Sequence, residues 1–339
     1  MHCSAQAYSR VSYPPLTGGS LVLALCVLMG TLGLVGRNEA AHSEAVWACA
    51  FGQRGGEEVL ATGGLDETVK VFGRGSEGPT RKHTYSNHPL GVASLTASGS
   101  RAAATALDSY VRVWDLTSDA TTALLEFHAA EAWGVAFLPE SASQSMLAVA
   151  RGARGTASLF DYNSDSNTTL ELPQPRSTGA SSNREAFVLD VAVSDDGSRV
   201  AATQMGGGVS LFDTESGKLL HSFKTLNLPV RSVTISGETV LAASDNGEVH
   251  ALDARTGSMI EVYPAHSGWA MAVSPHPDGK MFISGGSDGC VRLWELGSRQ
   301  PVQSQHDFDD SVWGVAFNSS GSLLGACSED ASVSMYDYV

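Results

Sequence analysis

HSGWAMAVSPHPDGKMFISGGSDGCVRLWEL, residues His266 to Leu296, decides the fold. Three short strand-like runs, Met271 to Ser274, Lys280 to Ser284 and Val291 to Glu295, are separated by Pro277-Asp278-Gly279 and Ser287-Asp288-Gly289. Those tripeptides are turn formers, because proline presets φ, aspartate bonds its own backbone and glycine tolerates positive φ. The stretch therefore predicts successive antiparallel strands of one four-stranded unit.

Outward from this stretch the pattern recurs. Strand ends fall at Phe72, Trp114, Phe160, Phe212, Leu252, Trp294 and Tyr336, with separations of 42, 46, 52, 40, 42 and 42 residues. All but the first are followed by Asp or Glu. A repeat of this length is the period of a β-propeller with four strands per blade. Seven units fill the chain from about Leu32 to Val339, giving one all-β domain over residues 31–339. The longer spacings place insertions at a hairpin near Pro139 to Gln144 and in a polar, mobile loop from Asn163 to Arg184. Asn167-Thr168-Thr169 and Asn318-Ser319-Ser320 fit glycosylation acceptors, which matter only in a secreted chain.

Composition narrows the function classes. The net charge of −15, with 21 Lys and Arg among 339 residues, gives a field that repels phosphate backbones, so direct nucleic-acid binding is disfavoured. Cysteines at 3, 26, 49, 290 and 327 form no CxxC pair, which predicts neither a disulfide framework nor a zinc site, and no cofactor. The default is a reduced, intracellular protein.

Residues 1–30 read as a disordered, artefactual or targeting leader, with Pro14-Pro15, Gly18-Gly19 and little periodicity in the first 20. As a helix, the apolar block Leu21 to Gly36 would reach roughly 24 Å, short of a hydrocarbon core of about 30 Å, so no membrane span is expected. Three readings stay open: a secretory signal cleaved near Ala40, a start-site artefact ahead of Met29, or a first strand from Leu32 to Arg37 that completes the last blade.

Two catalytic patterns fail on context. Gly285-Gly286-Ser287-Asp288-Gly289 fits GxSxG but joins two strands of a hairpin, where a nucleophile elbow needs a strand running into a helix. Gly73-Arg74-Gly75-Ser76-Glu77-Gly78 fits GxGxxG, yet Pro79 follows where a helix should open. The ten histidines show no HExxH and no zinc spacing, and no nucleophile–base constellation appears, so no catalytic residue is assigned.

With these residues in place, His266 to Leu296 resembles one complete WD40 repeat. The resemblance implies a strut in which Asp288 accepts a hydrogen bond from His266, the imidazole meets the Ser284 hydroxyl, and Ser284 accepts from the Trp294 indole. Blade 1 has His42, Thr62 and Asp66 but Phe72, and blade 2 has His88, Asp108 and Trp114 but Ala104. Blade 7 keeps His306 and Asp330. Blades 3, 4 and 5 have lost the Asp, which leaves them to apolar packing.

The first inward position of each opening strand reads Trp47, Ala93, Trp133, Leu189, Arg231, Met271 and Trp313. In a propeller this position lines one mouth of the central channel. Aromatics and Arg over an apolar floor are the composition of a protein-binding hot spot, although the tryptophans could instead pack between blades. Within the quoted stretch, Met271 is the residue expected to touch a partner. Glu44, Glu131 and Asp310 lie nearby in sequence as partners for Arg or Lys.

The whole chain also resembles the WD-repeat subunit of the superkiller complex, which is shared with the polymerase-associated-factor complex. The resemblance is carried by HPLGV at His88, GKLLHSF at Gly217, LPVRSV at Leu228, SVWGVAF at Ser311 and MYDYV at Met335. Leu226 stands where the pattern has His. The resemblance implies a non-catalytic, monomeric propeller that holds a large helical-repeat subunit beside an RNA helicase feeding the exosome. It also implies cytoplasmic and nuclear pools, and a mouth that grips linear segments carrying Arg and an apolar anchor. The competing classes are a cullin-ligase substrate receptor, of which only Leu252-Asp253-Ala254-Arg255 is suggestive, and a secreted propeller enzyme.

Overall fold

The computed structural model describes residues 30–140, 142–143, 145–173, 184–223 and 228–339. They form seven four-stranded antiparallel sheets, the blades of an all-β propeller around a central channel. Blade 6 is built from Ala270–Pro275, Met281–Gly286, Val291–Glu295 and Gln303–Gln305, in that order from channel to rim. Its second strand is buried at every position, because both of its faces are covered by neighbouring blades. Such a strand reads as a continuous run of apolar and small residues, while rim strands such as Leu219–Phe223 are mostly exposed.

The ring closes through the beginning of the described chain. Leu32–Asn38 pairs antiparallel with Val333–Tyr338, supplying the rim strand of blade 7. Leu32 packs on Tyr336 and Ile283 in a buried cluster. Gly36 has no room for a side chain, since a Cβ there would lie 2.3 Å from the Glu77 carbonyl oxygen of blade 1. The C-terminal part of the apolar block is thus strand and not helix. Residues 1–29, with the leader, signal and start-site readings, lie outside the described residues. Among those described, no helix is long and apolar enough to cross a membrane.

Part of the loop expected over Asn163 to Arg184 is strand. Ser166–Glu171 is the rim strand of blade 3, anchored by buried Leu170, and 174–183 and Leu226 lie outside the described residues. Asn167 is exposed on that strand. Asn318, by contrast, is 1% exposed and donates its amide to Glu58 at 2.7 Å, which closes the second glycosylation triplet.

Polar struts tie the blades internally. In blade 6 the His266 Nδ1–H donates to Asp288 (2.8 Å), Ser284 meets Nε2 (2.8 Å), and the Trp294 indole donates to Ser284 (3.0 Å). Blade 1 repeats this with His42, Asp66 and Thr62, and Lys70 adds a 3.0 Å ion pair to Asp66. In blade 6 Arg292 also lies 2.6 Å from His266 Nδ1 and donates to Asp288 (2.9 Å). In blade 2 the matching Arg112 is itself the link, donating to His88 Nδ1 (3.1 Å) and to Asp108 (2.7 Å). Blade 7 has no such strut. His306 turns to the Cys290 sulfur (2.9 Å), Asp330 takes Arg37 (2.9 Å), and the Tyr336 hydroxyl bonds Asp307, the residue after His306. Blade 3 relies on more than apolar packing, because Arg151 pairs with buried Glu131.

In blade 2, Ala104 occupies the place of Ser284. The buried Nε2 of His88 and Nε1 of Trp114 both lack a partner. A hydroxyl there could accept from both donors, and an unsatisfied buried donor costs about 1–3 kcal/mol. Ala104→Ser is therefore expected to raise unfolding free energy by about 1–2 kcal/mol in urea denaturation. A loss of stability would show that the strand has no space for the oxygen.

Candidate functional site

The seven opening strands enclose a channel of about 640 Å³. Trp47, Ala93, Trp133, Leu189, Arg231, Met271 and Trp313 all line it, one from each blade. A backbone device puts them there. The pairing of the first two strands slips between Val46 and Ala48, Val92 and Ser94, Val188 and Asp190, Val230 and Ser232, Ala270 and Ala272, and Val312 and Gly314. The skipped residue in each case is the ring residue. In blade 3 the Trp133 N–H and the Gly134 carbonyl both bond Ala150, so two residues again oppose one. A β-bulge frees one residue from the ladder and re-aims its side chain.

The aromatic part of the ring is continuous from blade 5 to blade 1. Trp47 and Trp313 stack with centroids 5.1 Å apart and planes inclined by 27°. The Arg231 guanidinium lies 4.7 Å from the Trp269 ring centroid and 5.9 Å from that of Trp313. Asp245 fixes it, with one N···O distance of 3.0 Å. Glu329 accepts the Trp47 indole N–H at 3.3 Å, while the Trp313 indole N–H is buried without a partner. Across the mouth, Trp133 meets the edge of Phe187 at 5.4 Å. A guanidinium held over aromatic faces loses little freedom when a partner docks, which favours binding at this mouth.

The structure rearranges part of the expected set. Met271 is only 3% exposed and Leu189 is also buried, so both form wall and not contact surface. The residue of the quoted stretch that faces outward is Trp269, 48% exposed, two positions before Met271. Glu131 is buried on Arg151 and is not available to a partner. Glu44 and Asp310 are exposed. Phe187 and Glu329 belong to the site through cross-blade contacts that a repeat alignment does not reveal, Asp245 joins it from a turn of the same blade as Arg231, and Trp269 could have been found as an unassigned Trp inside a blade-entry loop. Among the described residues, no three His, Cys, Asp or Glu side chains converge as metal ligands.

The family pattern described as "WD domain, G-beta repeat" matches residues 36–73, 79–115, 257–295 and 299–337. Each segment runs from the rim strand of one blade through the first three strands of the next, so the first three strands of blades 1, 2, 6 and 7 are matched, and the same four-stranded architecture continues through the other three. Four stretches of the chain thus carry WD40 repeats. Blades 3 to 5, whose first three strands are not matched, are those whose turn position carries Arg154, Gly206 and Asn246 in place of Asp. The chain is 39% identical to the "WD repeat-containing protein VIP3" of Arabidopsis thaliana over 205 residues, 58% of this chain and 62% of that protein. The aligned part thus spans less than two thirds of that relative. It is 27% identical to the "WD repeat-containing protein SL1-17" of Schistosoma mansoni over 87% of this chain and 96% of the other. To human "Striatin-3" it is 23% identical over 87% of this chain and 40% of the relative.

Proposed function

We propose that this WD40 propeller is a non-catalytic scaffold subunit of a superkiller-type RNA-decay complex, with a second role in a polymerase-associated-factor complex of transcription elongation. The observation that carries a scaffold role is the gathering of Trp47, Trp133, Trp269, Arg231 and Trp313 at one channel mouth. Large aromatic and guanidinium groups dominate protein-binding hot spots because they bury much surface at low entropic cost. The choice of complex rests on the resemblance in the His88, Gly217, Leu228, Ser311 and Met335 segments. In this role the propeller is one copy in a hetero-complex, holding a large helical-repeat subunit beside an RNA helicase in the cytoplasm and serving elongation in the nucleus. The acidic balance of the chain leaves contact with RNA to those partners.

Native affinity purification with partner identification tests this. A helicase and a helical-repeat subunit recovered together support it. Recovery of a ubiquitin-ligase adaptor in their place would overturn it.

A further inference from the structure

The ring of blades has one seam, where blade 7 meets blade 1, and two thiols face each other there. Cys49 lies in the opening strand Val46–Arg54 of blade 1, and Cys327 in the strand Leu323–Ser328 of blade 7. They are 278 positions apart in sequence. The Cys49 sulfur points at the blade 7 strand, 3.9 Å from the Gly325 carbonyl oxygen, and Gly325 shares a strand face with Cys327.

Gly314 is what lets the sulfurs converge. It is paired with Cys327 in the sheet, and a Cβ on it would sit 2.8 Å from the Cys327 sulfur and 3.3 Å from the Cys49 sulfur. One small gap, left open by a glycine, is therefore bordered by both thiols. After burial, the nearness of Cys49 also favours the protonated Cys327 thiol. The two differ in access, since Cys49 is half-buried and lines the channel, whereas Cys327 is fully buried.

We propose that Cys49 and Cys327 form a reversible disulfide under peroxide that locks the propeller at its closing seam. The order of events follows from access. The Cys49 thiolate attacks one oxygen of hydrogen peroxide reaching it through the channel, the O–O bond breaks, and Cys49 becomes a sulfenic acid with release of water. The Cys327 sulfur then attacks the Cys49 sulfur, the S–S bond forms, and hydroxide leaves as water with the proton given up by Cys327. Two thiols and one peroxide thus become one disulfide and two waters. Burial pushes the Cys327 thiol well above its ordinary range, so the second step accelerates as pH rises.

The bond joins residues on either side of the seam and closes a loop through nearly the whole chain, a geometry that restricts the unfolded ensemble strongly. It also braces the Trp47–Trp313 stack, because Cys49 is two residues from Trp47 and Gly314 follows Trp313. Any effect on partner capture rests on the function proposed above. Formation of the bond does not, and it is tested on the isolated protein.

The full chain is reduced, treated with a small excess of hydrogen peroxide and alkylated under denaturing conditions. Peptide mapping without reduction should find the Cys49–Cys327 cross-link as the main product, with Cys290 alkylated. The oxidised protein should unfold at a higher urea concentration than the reduced one, and thiol reductant should erase the difference. Cys49→Ala and Cys327→Ala should each abolish the cross-link and the urea shift, while Cys290→Ala keeps both. Oxidation of Cys49 to sulfinic acid with Cys327 still a thiol overturns the proposal. So does a cross-link that leaves the urea midpoint unmoved.

Discussion

Trp294→Ala should cost about 3–5 kcal/mol of unfolding free energy, the range for removing a large buried aromatic side chain. Trp294 is completely buried, stacked on Phe282 at 6.0 Å and edge-on to Tyr263 at 5.8 Å, and it donates to Ser284 at 3.0 Å. Truncation removes the packing and leaves Ser284 with one partner fewer. Trp294→Phe separates the two contributions, because a benzyl ring retains most of the contact and deletes the indole N–H. Its expected cost is about 1 kcal/mol. Blade 1 already carries this arrangement, with Phe72 where blade 6 has Trp294. Urea denaturation of the two variants checks both numbers, and equal costs would mean that the hydrogen bond, not the packing, dominates the strut.

The second large effect is on the acid side. His88 is buried beside the Arg112 guanidinium, and burial first, then that neighbouring charge, lowers its pKa to about 4. In the unfolded chain an imidazole protonates near 6.5. Between pH 6.5 and 4 the unfolded state therefore binds a proton that the folded state refuses, and stability falls as pH falls. The expected loss is about 3 kcal/mol from His88, fully present at pH 4 and absent above pH 7. His42 and His266, lowered mainly by burial, act in the same direction. Asp66 and Asp288 are held below the ordinary carboxylate range by His42 and His266 against the opposing effect of burial, so their contribution is lost only below about pH 4. Asp190 has the opposite sign. Burial pushes it up to about 7, and its contribution weakens as pH rises from 4 to 7. Comparing wild type with His88→Gln across this range cancels Asp190 and isolates the imidazole. The variant should lose about 3 kcal/mol less than wild type between pH 7 and pH 4. Parallel pH profiles would place the proton elsewhere.

The fold was legible in the sequence because a propeller is periodic. Seven strand ends at a spacing near 42 residues, each with a turn residue six positions earlier, are enough to count the blades. The closing strand was legible for a geometric reason: Leu32 to Arg37 is the segment a closed ring requires. The struts were legible only where one blade supplies every partner, as in blade 6. In blade 7 Cys290 of blade 6 captures His306. Repeat alignment compares blades with one another and is blind to contacts between them.

The same limit explains the ring. The residue types at its seven positions were readable, but their exposure depends on a bulge that aims one side chain into the channel. Met271 shares that bulge and is nonetheless buried, while Trp269, outside it, is the exposed residue. Glu131 was misassigned because its partner, Arg151, lies across a strand pair and not in the loop.

Binding at the mouth is the central claim, and the direct measurement is partner recovery by Trp133→Ala and Trp313→Ala in native affinity purification. Both tryptophans are half-buried in the channel wall, so far-UV circular dichroism and the urea midpoint first establish that each variant is folded. If the mouth is the hot spot, each change should weaken capture of the helical-repeat and helicase partners about 30-fold or more, the equivalent of roughly 2 kcal/mol. Unchanged recovery by both folded variants would show that the partner engages another face of the propeller.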